Sequence, residues 1–201
     1  ILTMWYRSLG EGPIYQRDPQ ELKRRYTKNG IERGQIPADL FQSLSKFYHS
    51  TSSVNRKDEF VEGEYLHSET DSTPSQLIDI PESLRQQIGN TLLPICERWS
   101  QKRLKLSSIY GIRVYARGTS LKMHTDTSDT HIISAIMNIA QEVDSDWPLM
   151  VEDHMFRTHA VYLNEGGMLL YEGARLAHGR PEPLDGDSYA NIFVHFDPVE
   201  D

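Results

Sequence analysis

The chain has 201 residues, 38% of them apolar and 25% charged, and a formal net charge of -8. That is the composition of a single globular domain with a full core, and its acidic balance argues against nucleic acid, which needs clustered Lys and Arg. One cysteine, Cys96, excludes a disulfide framework within the chain, and no run is apolar and long enough to span a membrane.

No secretory signal pattern opens the sequence. It begins at Ile1 rather than Met, as a trimmed or processed chain would, so whether a targeting segment is missing and where the protein resides are left open. The first element, "DPQELKRRYTKNG" over 18–30, has Asp18 and Pro19 at one end and Asn29-Gly30 at the other. Those are helix start and stop signals, and its basic run reads as a solvated helix face. "IPADLFQSLSKFYHS" sets Leu40, Leu44, Phe47 and Tyr48 at helical spacing. The polar stretch 50–76 reads as a long loop with a short extended piece at "EFVEGEYL", and such loops are often lids. A lid of this kind is expected to be mobile alone and to order on substrate. "IPESLRQQIGNTLLPICERWS" starts at Pro81 and carries Leu84, Ile88, Leu92, Ile95 and Trp99 on one stripe. Pro94 is expected to kink or split this helix, and Cys96 falls in its apolar part as a buried hydrophobe.

From residue 109 the period changes. Eight short strand-like segments follow: "IYGIRVYARG", "SLKMHTD", "HIISAIMNI", "PLMVED", "HAVYL", "GMLLYEG", "AHG" and "SYANIFVHF". Turn residues separate them, as in an antiparallel sandwich or barrel. The expected fold class is therefore α+β: an eight-stranded jelly roll with supporting N-terminal helices. Residues 1–80 are read as a helical and loop region packed on the core, and 81–201 as a supporting helix plus the jelly roll, within one structural domain. No internal repeat is visible.

"KMHTDTSDTHIISAIMNI" places His124 and Asp126 two residues apart among β-formers. Positions i and i+2 of a strand share a face, about 6–7 Å apart along the backbone. A metal needs two such converging donors, and a buried Asp without a partner is costly. A third ligand must come from elsewhere; the other histidines are His49, His67, His131, His154, His159, His178 and His195. His178 stands out, because an apolar strand, a turn, a His-bearing strand and a final strand follow one another around it. Two histidines and a carboxylate on one face of a metal leave positions open, which suits non-haem Fe(II) and oxygen.

"IRVYARGTSLKMHTD" followed by "LNEGGMLLYEGARLAHGRPEPLDGDSYANIFVHF" resembles the 2-oxoglutarate- and Fe(II)-dependent dioxygenases, and within them the prolyl 4-hydroxylase branch. The resemblance covers roughly residues 105–197. It implies a double-stranded β-helix and Fe(II), 2-oxoglutarate and O2 as cofactors, with ascorbate as reductant. His124, Asp126 and His178 match the iron ligands, Tyr115 the tyrosine near 2-oxoglutarate, and Asn138 a family Asn position that shapes a turn. Asp126 argues against a halogenase, which lacks the carboxylate. The implied reaction hydroxylates a C–H bond, releasing succinate and CO2, with a prolyl residue of a peptide or protein as substrate. A free amino acid or other small molecule is the rival substrate, and a cupin-like metal-binding protein without oxygenase activity the rival class.

The sequence departs from that pattern at one position. The family's basic residue near the start of the final strand, which pairs with the distal carboxylate of 2-oxoglutarate, corresponds to Ser188. A buried carboxylate needs a cation, so another residue must serve. Arg180 is the first candidate, two residues after His178 on the same face; Arg113, two before Tyr115, is second; Arg175 and Lys122 are weaker. Of the rest, His131 is read as a turn or substrate contact, His154 and His159 as loop histidines, His195 as a satisfied structural His, and Trp147 as a core anchor in preference to a residue over the substrate mouth.

Overall fold

Apolar side chains on both faces of the central strands decide the architecture of the computed structural model, which describes residues 24–51, 55–59, 65–69, 73–127 and 130–199. The eight expected strands all form: β5 (Leu104–Ala116), β6 (Thr119–His124), β7 (Ile133–Val143), β8 (Leu149–Glu152), β9 (Thr158–Val161), β10 (Gly167–Tyr171), β11 (His178–Arg180) and β12 (Gly186–Pro198). Four more precede them: β1 (Ile31–Gln35), β2 (Arg56–Asp58), β3 (Leu66–Ser68) and β4 (Ser75–Ile78). They build a seven-stranded sheet, β1-β10-β7-β12-β5-β4-β2, and a five-stranded sheet, β3-β6-β11-β8-β9. All pairings are antiparallel, which makes this a jelly-roll sandwich.

Two helices among the described residues, α1 (Ala38–Ser50) and α2 (Glu82–Ser100), back the larger sheet. Leu40 and Leu44 of α1, and Ile88 and Leu92 of α2, pack with Ile133, Ala135 and Met137 of β7 and Ile192, Val194 and Phe196 of β12. Burial of each Leu or Ile here contributes about 1.5–3 kcal/mol. The alternate residues of the same strands, Ser134 and Ile136, Asn191, Phe193 and His195, turn to the inside of the sandwich, as period 2 requires. One face therefore anchors the helices while the other is free to carry chemistry.

Three early expectations change. The described part of the 18–30 element, residues 24–30, is a bend and not a helix; the backbone N–H groups of Tyr26 and Thr27 are taken by the Glu172 carboxylate, so a helical ladder is not needed to satisfy them. Residues 31–78, read as helix and loop with one short extended piece, supply strands to both sheets, with β1 paired to β10 and β3 to β6. The extended piece at "EFVEGEYL" falls mostly on residues 60–64, outside the described residues, as do parts of the expected lid. Finally, α2 runs unbroken through Pro94. The carbonyl that loses its donor belongs to Asn90, and Asn90 and Pro94 are both exposed, so water can serve it.

Cys96 is fully buried in α2, and burial pushes its thiol up to about 12. The folded protein is expected to resist iodoacetamide at pH 8 and to gain one adduct only when denatured, as read by intact mass. Among the described residues no helix is long and apolar enough to cross a membrane.

Candidate active site

Antiparallel register brings the strands that carry His124 and His178 face to face. His178, the first residue of β11, pairs directly with His124, the last of β6, and their rings lie 4.6 Å apart. Asp126 follows on the segment leaving β6 and is tied back by its N–H to the Gly173 carbonyl at 2.9 Å. Asp126 Oδ1 sits 3.4 Å from His178 Nε2 and 3.8 Å from His124 Nε2. One donor atom from each of the three lies within 4.8 Å of the others. Gly179 lets the strands close up, because a Cβ there would meet the Leu121 and Lys122 carbonyls at 2.7 Å.

Each imidazole is oriented by a carbonyl two residues before it. His124 Nδ1 donates to Lys122 O at 2.8 Å and His178 Nδ1 to Leu176 O at 2.9 Å. Those bonds place a proton on each Nδ1 and leave each Nε2, the atom a metal would use, facing Asp126. Burial, and then the neighbouring His178, push His124 down to about 4. Burial alone would raise Asp126, but His178, by charge and hydrogen bond, holds it well below the usual carboxylate range. Asp126 Oδ2 is buried with no hydrogen-bond partner. Two imidazole Nε2 atoms and a carboxylate gathered this closely call for positive charge among them, either a proton on an imidazole or a metal ion. The donor set, two His and one Asp with open positions, fits Fe(II).

Gly173 makes room for that carboxylate. A Cβ there would lie 2.1 Å from Asp126 Oδ2 and 2.8 Å from Ser134 Oγ. Gly173→Ala is expected to weaken divalent-metal binding by about tenfold or more, the range seen when the groups orienting metal ligands are disturbed. Calorimetric titration with Mn(II) reads this directly, and an unchanged affinity would show that the carboxylate position is not critical.

His124, Asp126 and His178 line a cavity of about 590 Å³ together with Tyr115, Arg113 and Arg180. Arg180 is 1% exposed. Its guanidinium lies between the rings of Trp147 and Tyr189, at 4.5 and 4.4 Å, and donates to the Trp147 carbonyl. With the Asn191 amide oxygen turned toward it, a further bond forms at 3.2 Å. Among the described residues no carboxylate pairs with Arg180. Tyr115, fully buried and edge-on to Trp147 at 5.1 Å, has a hydroxyl without a partner. A buried cation with no carboxylate partner among the described residues would be stabilised by one; the cation next to Tyr115 is Arg113, 6.0 Å over its ring.

Arg113 is differently engaged. Its Nε and Nη2 each donate to Glu59, at 2.6 Å, in a bidentate pair, and its guanidinium lies over Phe193. Ser188 pairs with Ala116 at the start of β12 and is not part of the cavity wall; its neighbour Tyr189 turns inward instead. Lys122 is exposed, and Arg175 donates to His154 Nδ1.

Tyr110, His131 and His195 form a further polar group on the cavity wall. Tyr110 and His131 share a 3.0 Å hydrogen bond, His131 and His195 have ring centroids 3.8 Å apart, and His195 Nδ1 bonds Ser134 Oγ at 2.8 Å. Burial pushes His195 down to about 3, so it stays uncharged. The structural reading of His195 thus has its partner, yet the residue also faces the cavity; its alternation with Asn191 and Phe193 was the available signal. Trp147 is buried and donates to Glu182 O at 2.7 Å, a core anchor as expected. His154 lies on the turn between β8 and β9, as a loop histidine, yet is 2% exposed and bonded to Glu172, whereas His159 falls within β9. Asn138, also buried, donates to Leu163 O. Glu59 had no sequence signal, since no periodic pattern surrounds it.

No family model matches the sequence, and a search of curated proteins finds no match. Solved structures do match. A prolyl-4-hydroxylase from Pseudomonas putida superposes with a TM-score of 0.64 at 13% identity, covering 86% of this chain and 94% of that one. A Trichoplax adhaerens prolyl hydroxylase in complex with a hypoxia-inducible-factor peptide fragment gives 0.59 at 10%, covering 85% and 84%. HygX from Streptomyces hygroscopicus, with nickel, 2-oxoglutarate and hygromycin B bound, gives 0.59 at 12%, covering 85% and 84%. The chain has the jelly-roll fold shared by these prolyl hydroxylases and other 2-oxoglutarate-binding proteins.

Proposed function

We propose that the protein is a 2-oxoglutarate- and Fe(II)-dependent dioxygenase that hydroxylates a C–H bond, with a prolyl residue of a peptide or protein as substrate. The observation that carries the reading is one cavity holding both the His124–Asp126–His178 donor set and a buried Arg180 without a carboxylate. His124, Asp126 and His178 would hold the iron through Nε2, a carboxylate oxygen and Nε2. Arg180, held by Trp147 and Tyr189, would take the distal carboxylate of 2-oxoglutarate, with the Tyr115 hydroxyl as a second donor. Bound Fe(II), 2-oxoglutarate and O2 supply the oxidation of an unactivated C–H bond, with release of succinate and CO2. The chain's own part is orientation and exclusion of water: Leu121, Ile136, Leu149 and Phe193 make the apolar wall.

Tyr65, Tyr110 and Phe193 add aromatic surface to the cavity, which suits a compact ring such as proline, and two of the structural neighbours are prolyl hydroxylases. One observation favours a small polar molecule instead. Glu59 and Arg113 form a largely buried ion pair on the cavity wall, and the ammonium and carboxylate of a free amino acid could replace each partner without leaving a charge unpaired. Succinate formation with Fe(II), 2-oxoglutarate, O2 and ascorbate, followed by mass spectrometry on a proline-containing peptide panel and on free amino acids, separates the two. A +16 Da peptide product supports the prolyl reading; a hydroxylated free amino acid supports the alternative. Tight metal binding with no succinate under any condition would point to a cupin-like binding protein.

A further inference from the structure

Away from the cavity wall, a second group of buried polar side chains gathers on the loop that joins β10 to β11. Glu172 is 1% exposed. Its Oε1 accepts from the Thr27 N–H at 2.8 Å, the Thr27 hydroxyl at 2.7 Å and His154 Nε2 at 3.0 Å, and the Tyr26 N–H reaches both carboxylate oxygens at 3.2 Å. Arg175 Nε donates to His154 Nδ1 at 3.1 Å, so the other imidazole nitrogen carries the hydrogen toward Glu172. Backbone bonds close the same unit. The Glu172 N–H donates to Gly30 O, the His154 N–H to Asn29 O, and the Gly30 N–H to the Thr27 hydroxyl. Arg25 donates to the His154 carbonyl at 3.0 Å.

The loop so gripped, residues 172–177, touches the candidate metal centre at two of its three ligands. The Gly173 carbonyl accepts the Asp126 N–H, and the Gly173 Cα leaves just the room the Asp126 carboxylate needs. The Leu176 carbonyl orients the His178 imidazole. Between them, the Ala174 N–H bonds His131 O, and the Arg175 and Leu176 N–H groups both return to the Glu172 carbonyl. A carboxylate serving this many donors holds its loop to one conformation, because each bond lost would leave a buried polar group unpaired.

We propose that Glu172 is a positioning residue for the metal centre. By gathering residues 25–30 and His154 onto the loop 172–177, it sets the Asp126 and His178 donors at ligating distance. The proposal rests on the reading of His124, Asp126 and His178 as metal ligands. It makes a stretch of chain some 150 residues earlier in the sequence part of the determinants of metal affinity.

Co(II) bound to the full chain is the probe, read by its visible d–d absorption and by calorimetric affinity. Glu172→Gln keeps the shape but presents an amide where donors converge. Thr27→Val removes a hydroxyl that bonds both Glu172 and Gly30, and is the milder variant should the first fail to fold. Both are expected to weaken Co(II) binding about tenfold and to shift the absorption bands, while Thr27→Ser restores the wild-type affinity and spectrum. A purely structural role would lower the melting temperature of both variants and leave affinity and spectrum unchanged in the folded protein; that result overturns the proposal. Wild-type protein that binds no Co(II), or His178→Ala binding as tightly as wild type, would instead defeat the metal-site reading itself and the proposal with it.

Discussion

Arg180→Ala is expected to raise the 2-oxoglutarate concentration for half-maximal succinate formation by one to three orders of magnitude, about 1.4 kcal/mol per tenfold, with metal binding intact. The expectation follows from where the charge sits. Arg180 is buried between two aromatic rings, and its hydrogen bonds go to carbonyl-type oxygens and not to a carboxylate. A dicarboxylic cosubstrate entering the cavity would supply the missing anion in a site already desolvated, where such a pair is strongest. Arg180→Lys is the informative companion. It keeps the charge and loses the planar fork that fits between Trp147 and Tyr189, so it should recover part of the affinity and not all of it. An unchanged 2-oxoglutarate dependence in Arg180→Ala would move the assignment to Arg113. That residue starts from a weaker position, because Glu59 occupies two of its N–H groups.

His178→Ala should abolish nearly all turnover and most of the affinity for Fe(II), measured by succinate release and by metal titration of the apoprotein. The loss has two parts. One donor of three disappears, leaving a loose two-ligand site. In addition, His178 is the first of the groups that offset the burial of Asp126, so the carboxylate loses its strongest favourable neighbour. The fold should survive, since the β11 backbone still pairs with β6 and β8 and alanine fits the space. Wild-type turnover in a folded His178→Ala protein would sink the ligand assignment.

What the sequence alone determined was everything that local periodicity can carry. The eight strands of 109–196 were legible because alternation and turn residues act over a few residues; the nearness of His124 and Asp126 was legible from their spacing, though Asp126 lies past the end of β6 and is placed by its bond to Gly173 and not by strand alternation. His178 was legible from the order of strands around it. Only the tertiary structure decided which charges meet. Arg113 finds Glu59 across 54 positions, and Glu172 finds Thr27 across 145; that second capture turns an apparent helix at 18–30 into a bend over its described part. The inward turn of Tyr189 with Ser188 off the cavity wall belongs to the same class, because the irregular register between Gly186 and Ser188 is a property of two strands together. Side chains brought together by strand pairing carry no trace of it in their own neighbourhoods, since the free energy that selects the pairing comes from burial and charge satisfaction summed over the whole sandwich.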